Sequence, residues 1–447
     1  MPPLDLGAAD LTRTLLRSGV PHHGRAGAGR TPHPGVDGAF LGHLGTEALA
    51  AVSLALPLAG VTAALGVGLG VGTATAIARR LGAGRPEAAG QIASAAMGLG
   101  LCLAALAALV LSVARNPLLD LLGASGAVRA PAEAYLALMA FSAALGIVQI
   151  LCDFIAIGEG NAQFSMTSLA LCFGLNIALD PLFIFGFGWG VAGAAAATIL
   201  AQVLTLGLYL WYFAACRGQV RLRPHIGLPA WRQLGPVLRV GAPETATVLA
   251  ATASVLLLYR LAGGIGGVEG LAALGIVLRL LTLASLPIEG FCLGAQAVLA
   301  HAAGGGDLAR LRRAVLRLAG LTCGASVVAG LLVLGWPGLA LVAFAASPAT
   351  AALAEPALRL MALALPLIAL RAVAQVTLQA TERAGLAAVL GLAPSGWLLL
   401  PLLAAFVPAH GFQGLALSLS LAAALTGLGA AFILWRLPRL PLTGVPA

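Results

Sequence analysis

The stretch TEALAAVSLALPLAGVTAALGVGLGVGTATAIARRLGAG, residues 46–84, returns 222 positions later as VEGLAALGIVLRLLTLASLPIEGFCLGAQAVLAHAAGGG, residues 268–306. Glu47 falls on Glu269, and Leu49-Ala50-Ala51 falls on Leu271-Ala272-Ala273. Gly68 and Gly72 fall on Gly290 and Gly294, and Gly82 and Gly84 on Gly304 and Gly306. The same offset sets Leu138-Met139-Ala140 on Leu360-Met361-Ala362. With one residue of slip, Gly190 and Gly193 fall on Gly411 and Gly414. A duplicated run of apolar helices is the signature of a secondary transporter with its substrate cavity between two halves.

Composition agrees. Of 447 residues, 60% are hydrophobic and 9% charged, against about 25% charged in a soluble domain. The mean hydropathy of +0.99 makes lipid the main solvent. The net charge is +9, and every basic residue is Arg, a usage typical of a GC-rich bacterial gene. The arginines cluster between apolar stretches, at Arg79, Arg80 and Arg85, from Arg217 to Arg239, from Arg310 to Arg317, and at Arg436 and Arg439. Alternate loops, such as 186–190, carry none. This positive-inside alternation places both termini in the cytoplasm of a bacterial inner membrane and argues against nucleic-acid binding. Six cysteines, Cys102, Cys152, Cys172, Cys216, Cys292 and Cys323, stand singly in apolar stretches, so neither a disulfide framework nor a Cys-built metal site is expected. No cleavable signal peptide is visible; the first spanning helix would do the targeting.

Apolar stretches run at 47–78, 90–114, 132–157, 164–187, 191–215, 240–262, 270–300, 314–346, 357–379, 386–408 and 414–436. The reading is an all-α polytopic membrane protein of two six-helix bundles, 1–216 and 238–437, with a linker at 217–237 and a tail at 438–447. Six helices is an even number, so both copies enter from one side and the repeat is parallel. Twelve helices are expected and eleven stretches are found; the first is the disrupted one. Leu16-Arg17-Ser18-Gly19-Val20-Pro21 matches Leu238-Arg239-Val240-Gly241-Ala242-Pro243, but residues 22–34 then carry three His, two Arg and two Pro. Those residues do not suit a straight helix in hydrocarbon. A pair of compensating frameshifts accounts for a polar insert of conserved length. The alternatives are a natural polar N-terminus that never spans, or a His cluster for metal.

Carboxylates inside apolar stretches are the candidate functional groups: Asp37, Asp153, Asp180, Glu244 and Glu289. An Asp at the centre of a membrane helix costs about 2.5–3.5 kcal/mol and faces a cavity or a partner. Asn176 and Asp180 share one helix face at i, i+4, and Pro181 frees a backbone carbonyl one turn earlier. Those oxygens suit Na⁺ or a proton. The plainer reading is a Pro-kinked helix whose Asp hydrogen-bonds its neighbours. The second copy has Gly396 and Leu400 at the matching positions, with Pro401 kept, and Gln375 where the first has Asp153. Ion coupling therefore belongs to the first half. Glu289, Gln296 and Gln375 are candidate cavity-lining groups of the second. Glu244, after Pro243, suits a helix start near the cytoplasm. The glycines of 66–72 lack phosphate-loop spacing and read as small-xxx-small packing, mirrored by Gly290 and Gly294.

Three stretches resemble the multidrug and toxic compound extrusion (MATE) transporters, in the prokaryotic branch related to DNA-damage-inducible protein F. They are VDGAFLGHLGTEALAAVSLALPL (Val36–Leu58), GVGTATAIARRLGAG (Gly70–Gly84) and GEGNAQFSMTSLALCFGLNIALDPLFIFGFGWGVAGAAAAT (Gly158–Thr198). The resemblance implies two six-helix bundles working by alternating access, with inward flux of H⁺ or Na⁺ driving export of cationic or amphipathic compounds. It implies a coupling site on the first, fifth and sixth membrane helices, at Asp37, Asn176, Asp180 and Thr198 here. Asp153 falls where the family commonly has Asn, and Ile157 where many relatives have Arg. No cofactor is implied beyond the transported ion. Expected partners are organic cations or amphipathic drugs and the bilayer, with the chain a monomer. Rival readings are a lipid-linked precursor flippase, a polytopic membrane enzyme and a product inactivated by its first helix. The enzyme would need a nucleophile, metal or paired-acid constellation, and the sequence offers none.

Overall fold

The computed structural model describes residues 14–15, 46–121, 128–215, 217–222, 232–338, 341 and 347–436, which are almost wholly helical. Asp37 and the polar segment 22–34 lie outside the described residues. In chain order the helices are α1 (Thr46–Gly82), α2 (Pro86–Val113), the short α3 (Arg115–Leu121), α4 (Arg129–Gly158), α5 (Ala162–Pro181) and α6 (Gly190–Ala214). They continue with α7 (Gly235–Gly304), α8 (Leu308–Gly335), α9 (Pro348–Ala380), α10 (Ala384–Leu392) and α11 (Leu399–Arg436). Helix α7 begins at Gly235, so the last residues of the expected linker are already helical.

Two of these runs are broken by a single glycine, Gly267 in α7 (φ 55°, ψ −137°) and Gly411 in α11 (φ 53°, ψ −128°). Those dihedrals are open to glycine and strained for any residue with a Cβ. Among the described residues nine helical runs are long and apolar enough to cross a membrane. Dividing 235–304 and 384–436 at their glycines recovers the eleven stretches read from the sequence.

The repeat is structural as well as textual. Helices α2 and α8 begin at Pro86 and Leu308 and end at Val113 and Gly335, each pair 222 apart. Helices α4 and α9 end at Gly158 and Ala380, and α5 and α10 begin at Ala162 and Ala384, again 222 apart. The turns match in backbone detail. Gly84 has φ 71° and Gly306 φ 72°; Gly190 has φ 54° and Gly411 φ 53°. Where Gly160 takes φ 93°, its twin Glu382 takes φ 57° without the licence of a glycine.

The described helices form two compact units, residues 46–245 and residues 246–436. Leu69, Ile77, Ile92, Leu151, Ile155, Tyr209 and Val237 are buried together in the first. Leu258, Leu274, Leu358, Met361, Leu399 and Phe412 do the same in the second. Elsewhere large apolar side chains lie open, including Val113 at 75% and Leu210 at 70% exposure. Exposed surface of this kind suits lipid. The small-xxx-small reading holds at Gly68 and Gly72 but not at Gly290. A Cβ on Gly72 would run into the backbone carbonyl of Val237, whereas a Cβ on Gly290 would meet nothing within 4 Å.

Candidate functional site

Helix α5 starts on Asn161, whose side chain accepts the Phe164 amide at 3.3 Å and caps the helix. From that cap, Asn161, Ser165, Ser168, Cys172, Asn176 and Asp180 recur at spacings of four, three, four, four and four, all buried. That is one helical face, polar along its whole length. Pro181 then removes a backbone donor, and the chain loosens into a π-turn, Leu182–Gly186. Gly190 and Gly193 bring α6 back against it. The approach is close: a Cβ on Gly193 would sit 2.6 Å from the Phe183 carbonyl oxygen. The polar face of α6, Thr198, Gln202, Thr205, Tyr209 and Tyr212, is thereby laid along the polar face of α5.

At the Pro181 end of this seam, three of the expected residues meet. Asn176 Nδ2 donates to Asp180 Oδ1 at 3.3 Å and to Thr198 Oγ1 at 3.2 Å. Thr198 in turn donates to the Ala194 carbonyl at 3.0 Å, which fixes its hydroxyl lone pairs toward Asn176. Asp180 and Asn176 are at most 1% exposed. A hydrogen bond to an ionised group contributes about 1.5–3 kcal/mol, which offsets part of the roughly 2.5–3.5 kcal/mol cost of an intramembrane carboxylate.

Asp153 belongs to the seam at a different level. Its Oδ1 accepts Ser165 Oγ of α5 at 3.1 Å and the Tyr209 hydroxyl of α6. One turn further along α4, in the direction of Asp180, Cys172 of α5 lies against Gln149 of α4 at 3.9 Å.

The far end of the seam holds a carboxylate that sequence reasoning passed over. Glu159, in the turn after α4, is 0% exposed. Its Oε1 accepts the Tyr212 hydroxyl at 2.6 Å and its Oε2 accepts the Val220 amide at 3.1 Å. Asn161 Nδ2 donates to the same Tyr212 oxygen at 3.1 Å. Burial pushes the Glu159 carboxyl up to about 7, against the opposing pull of its hydrogen bonds to Tyr212, Val220 and Gln219. Between this node and Asp153 sits Phe164, stacked on Tyr212 at 4.2 Å and edge-on to Tyr209 at 5.2 Å. A signal for these partners was present: the chain has only four tyrosines, and two of them stand at i, i+3 on α6.

In the second unit, Glu289 of α7 and Arg371 of α9 are 3.7 Å apart. Arg371 Nη1 also donates to Gln375 Oε1 at 2.6 Å. Gln296 is not with them; its Nε2 donates to Gln379 Oε1 at 3.1 Å, two turns away along both helices. Among the described residues no three His, Cys, Asp or Glu side chains group as a metal site would.

The profile of the MatE family matches residues 35–182 and 243–402. Multidrug export protein MepA of Staphylococcus aureus is 28% identical over 265 residues, 59% of this chain and 58% of the relative. The chain thus spans under two thirds of that relative's length. A solved structure titled as the outward-facing conformation of a multidrug resistance MATE family transporter of the MOP superfamily is 26% identical, with a TM-score of 0.91 over 98% of this chain and 99% of its own. A MOP superfamily transporter from Pyrococcus furiosus is 25% identical, with a TM-score of 0.87 over 98% of each chain. With the profile covering both halves of the repeat and the solved structures following it from end to end, the chain belongs to the MatE family.

Proposed function

We propose that this protein is a cation-coupled multidrug efflux antiporter of a bacterial inner membrane, a monomer with both termini in the cytoplasm. The observation that carries the reading is the Asn176–Asp180–Thr198 constellation, built in one half of a duplicated fold and absent from its twin positions Gly396 and Leu400. A group that must load and release an ion once per cycle is needed once, and here it occurs once. The relatives named as multidrug exporters support efflux as the direction and drugs as the cargo. Cationic and amphipathic compounds are the proposed substrates, because the intramembrane groups of the first unit are carboxylates and their hydroxyl and amide partners.

We take the coupling ion to be H⁺. Asp180 would take up and release it, with Asn176 at 3.3 Å as its hydrogen-bond partner. Asp153, between two hydroxyls, is the second carboxylate of the pathway. Asp37 would complete the set from the first membrane helix. A lipid-linked precursor flippase is less well supported, since Arg371 stands beside Glu289 and adds little net positive charge.

Ethidium efflux in an efflux-deficient host tests the reading at matched membrane expression. The chain as given is compared with a form whose residues 22–34 are replaced by an apolar helix, each with and without Asp180→Asn. Efflux should fall at least about tenfold with Asp180→Asn, the loss of an intramembrane ionisable group. A proton ionophore should abolish it and a Na⁺ ionophore should not. Unchanged efflux in the Asp180→Asn protein overturns the coupling site; sensitivity to the Na⁺ ionophore alone overturns H⁺.

A further inference from the structure

We infer that the arginine-rich end of α8 is a docking site for an anionic phospholipid. Its phosphate is held by Arg313 and Arg317, with Arg312 beside them, and its acyl chains lie along the apolar face below. The inference concerns the bilayer around the protein and does not rest on the efflux reading.

The repeat supplies a comparison within the chain. Helices α2 and α8 start 222 residues apart, so Gly90, Ser94, Ala95 and Gly98 of α2 fall on Arg312, Leu316, Arg317 and Gly320 of α8. In α2 all four are buried. The linker forms part of their cover. A Cβ on Gly90 would lie 3.2 Å from the Arg221 carbonyl oxygen, and Val220, Leu234 and Val237 share a core with Ala89, Ile92 and Ala95. Gln233 Nε2 also donates to Gln91 Oε1 at 2.8 Å. In α8 the four twins are exposed, Leu316 at 62% where Ser94 is 5%. A helix face closed by protein in the first unit is open in the second.

The open face has the chemistry of a bilayer surface. Helix α8 has 28 residues, about 42 Å at 1.5 Å per residue, against about 30 Å of hydrocarbon. The excess of roughly eight residues falls at the end that carries the arginines, which sets Arg312, Arg313 and Arg317 at headgroup level. Exposed leucines, Leu308, Leu316 and Leu321, are interleaved with them. Arg313 and Arg317 stand at i, i+4 on one face, where two guanidiniums reach a single phosphate. Arg313 Nε donates to the Ala309 carbonyl at 3.3 Å, an anchor that a headgroup contact through its terminal nitrogens would keep. Below them on the same face, a Cβ on Gly320 or Gly324 would meet nothing within 4 Å, and Val328 and Leu331 lie open. A phosphate above and an acyl chain below is the order in which a phospholipid presents itself.

Charge chooses among the possible occupants. The helix start itself is capped, since Asp307 accepts the Arg310 amide at 2.8 Å, so guanidiniums rather than open helix amides meet the anion. A second copy in a twofold contact here would set these arginines against their own kind. Residues 437–447, which follow α11 as the linker follows α6, carry Arg439 and no acidic side chain. An anionic lipid supplies the missing charge.

Native mass spectrometry of the purified full chain, released from detergent after titration with lipid, tests the site. The probes are dioleoyl phosphatidylglycerol and dioleoyl phosphatidylcholine, alike in their acyl chains. The parent should hold the first about tenfold or more tighter than the second, the scale of two or three arginines at an anionic surface. Replacing Arg312, Arg313 and Arg317 together by Gln should erase that preference. A control that loses as many charges elsewhere, with Arg85, Arg221 and Arg239 replaced by Gln, should keep it. Equal retention of the two lipids by the parent overturns the site, and so does a preference that survives the α8 replacements or falls equally in the control. Displacement of phosphatidylglycerol by equimolar glycerol phosphate would make the site one for a free phosphate and overturn the lipid. A dimer that the α8 replacements dissolve would give the face to a second copy instead. If the triple variant does not fold, Arg313→Gln alone decides, and a preference unchanged in it overturns the site.

Discussion

Glu159 has a carboxyl that is neutral below about pH 7 and charged above it, beside an ordinary unfolded value of 4.5. A carboxyl whose folded value is raised favours the fold most when both states are protonated. Its contribution is therefore complete below 4.5 and is lost as pH rises through about 7. The shift corresponds to something on the order of 3 kcal/mol between those limits. We expect the thermal unfolding midpoint of the purified protein to fall between pH 5 and pH 8, and Glu159→Gln to flatten that slope, its Oε1 accepting the Val220 amide and its Nε2 donating to the Tyr212 oxygen. A slope that persists in the variant would assign it elsewhere. Asn176, Asp180 and Thr198 were legible in the sequence because two lie at i, i+4 on one helix and all three sit in a family motif. Ser165, Tyr209 and Glu159 were not. Their roles depend on which turn of α6 meets which turn of α5, and no local spacing states that.

At the scale of the element, the repeat turns one position into a comparison. Gly160 and Glu382 close equivalent turns after α4 and α9, both with positive φ. An L-residue in that region gives up roughly 1–2 kcal/mol that glycine does not, part of which glycine returns through its freer unfolded chain. Glu382→Gly is therefore expected to stabilise the protein by up to about 1 kcal/mol, read as a higher unfolding midpoint. A lower midpoint would mean that the Glu382 side chain contributes more than its backbone costs. Helix positions were well predicted by hydropathy, and the breaks at Gly267 and Gly411 appeared as gaps between apolar stretches. The packing of Gly290 was not predictable from its twin Gly68. Two copies can share a backbone while a helix face that is covered in one is open in the other.

For the molecule as a whole, the arginine-rich turns decide which way the chain lies in the bilayer. Trp189, in the turn before α6, belongs to the bare side, and Arg312, early in α8, to the arginine side. In a background with the native cysteines replaced by Ala, an impermeant maleimide should label Trp189→Cys in intact cells, and Arg312→Cys only after permeabilisation. The reverse pattern would invert the topology and with it the direction of export. Fold class and repeat were legible at this scale because bilayer thickness and duplication both write long-period patterns. Charge pairing within the second unit was not, because Glu289 and Arg371 lie 82 positions apart and nothing in either neighbourhood announces the other. One packing contact reaches across all three scales. A hydroxyl or carboxyl can pass a proton along a chain of its kind, but the benzene ring of Phe164, lodged between Tyr212 and Tyr209, has none to pass. The ring is thus an insulating spacer within the seam, with Glu159 and Tyr212 on one side of it and Tyr209 and Asp153 on the other.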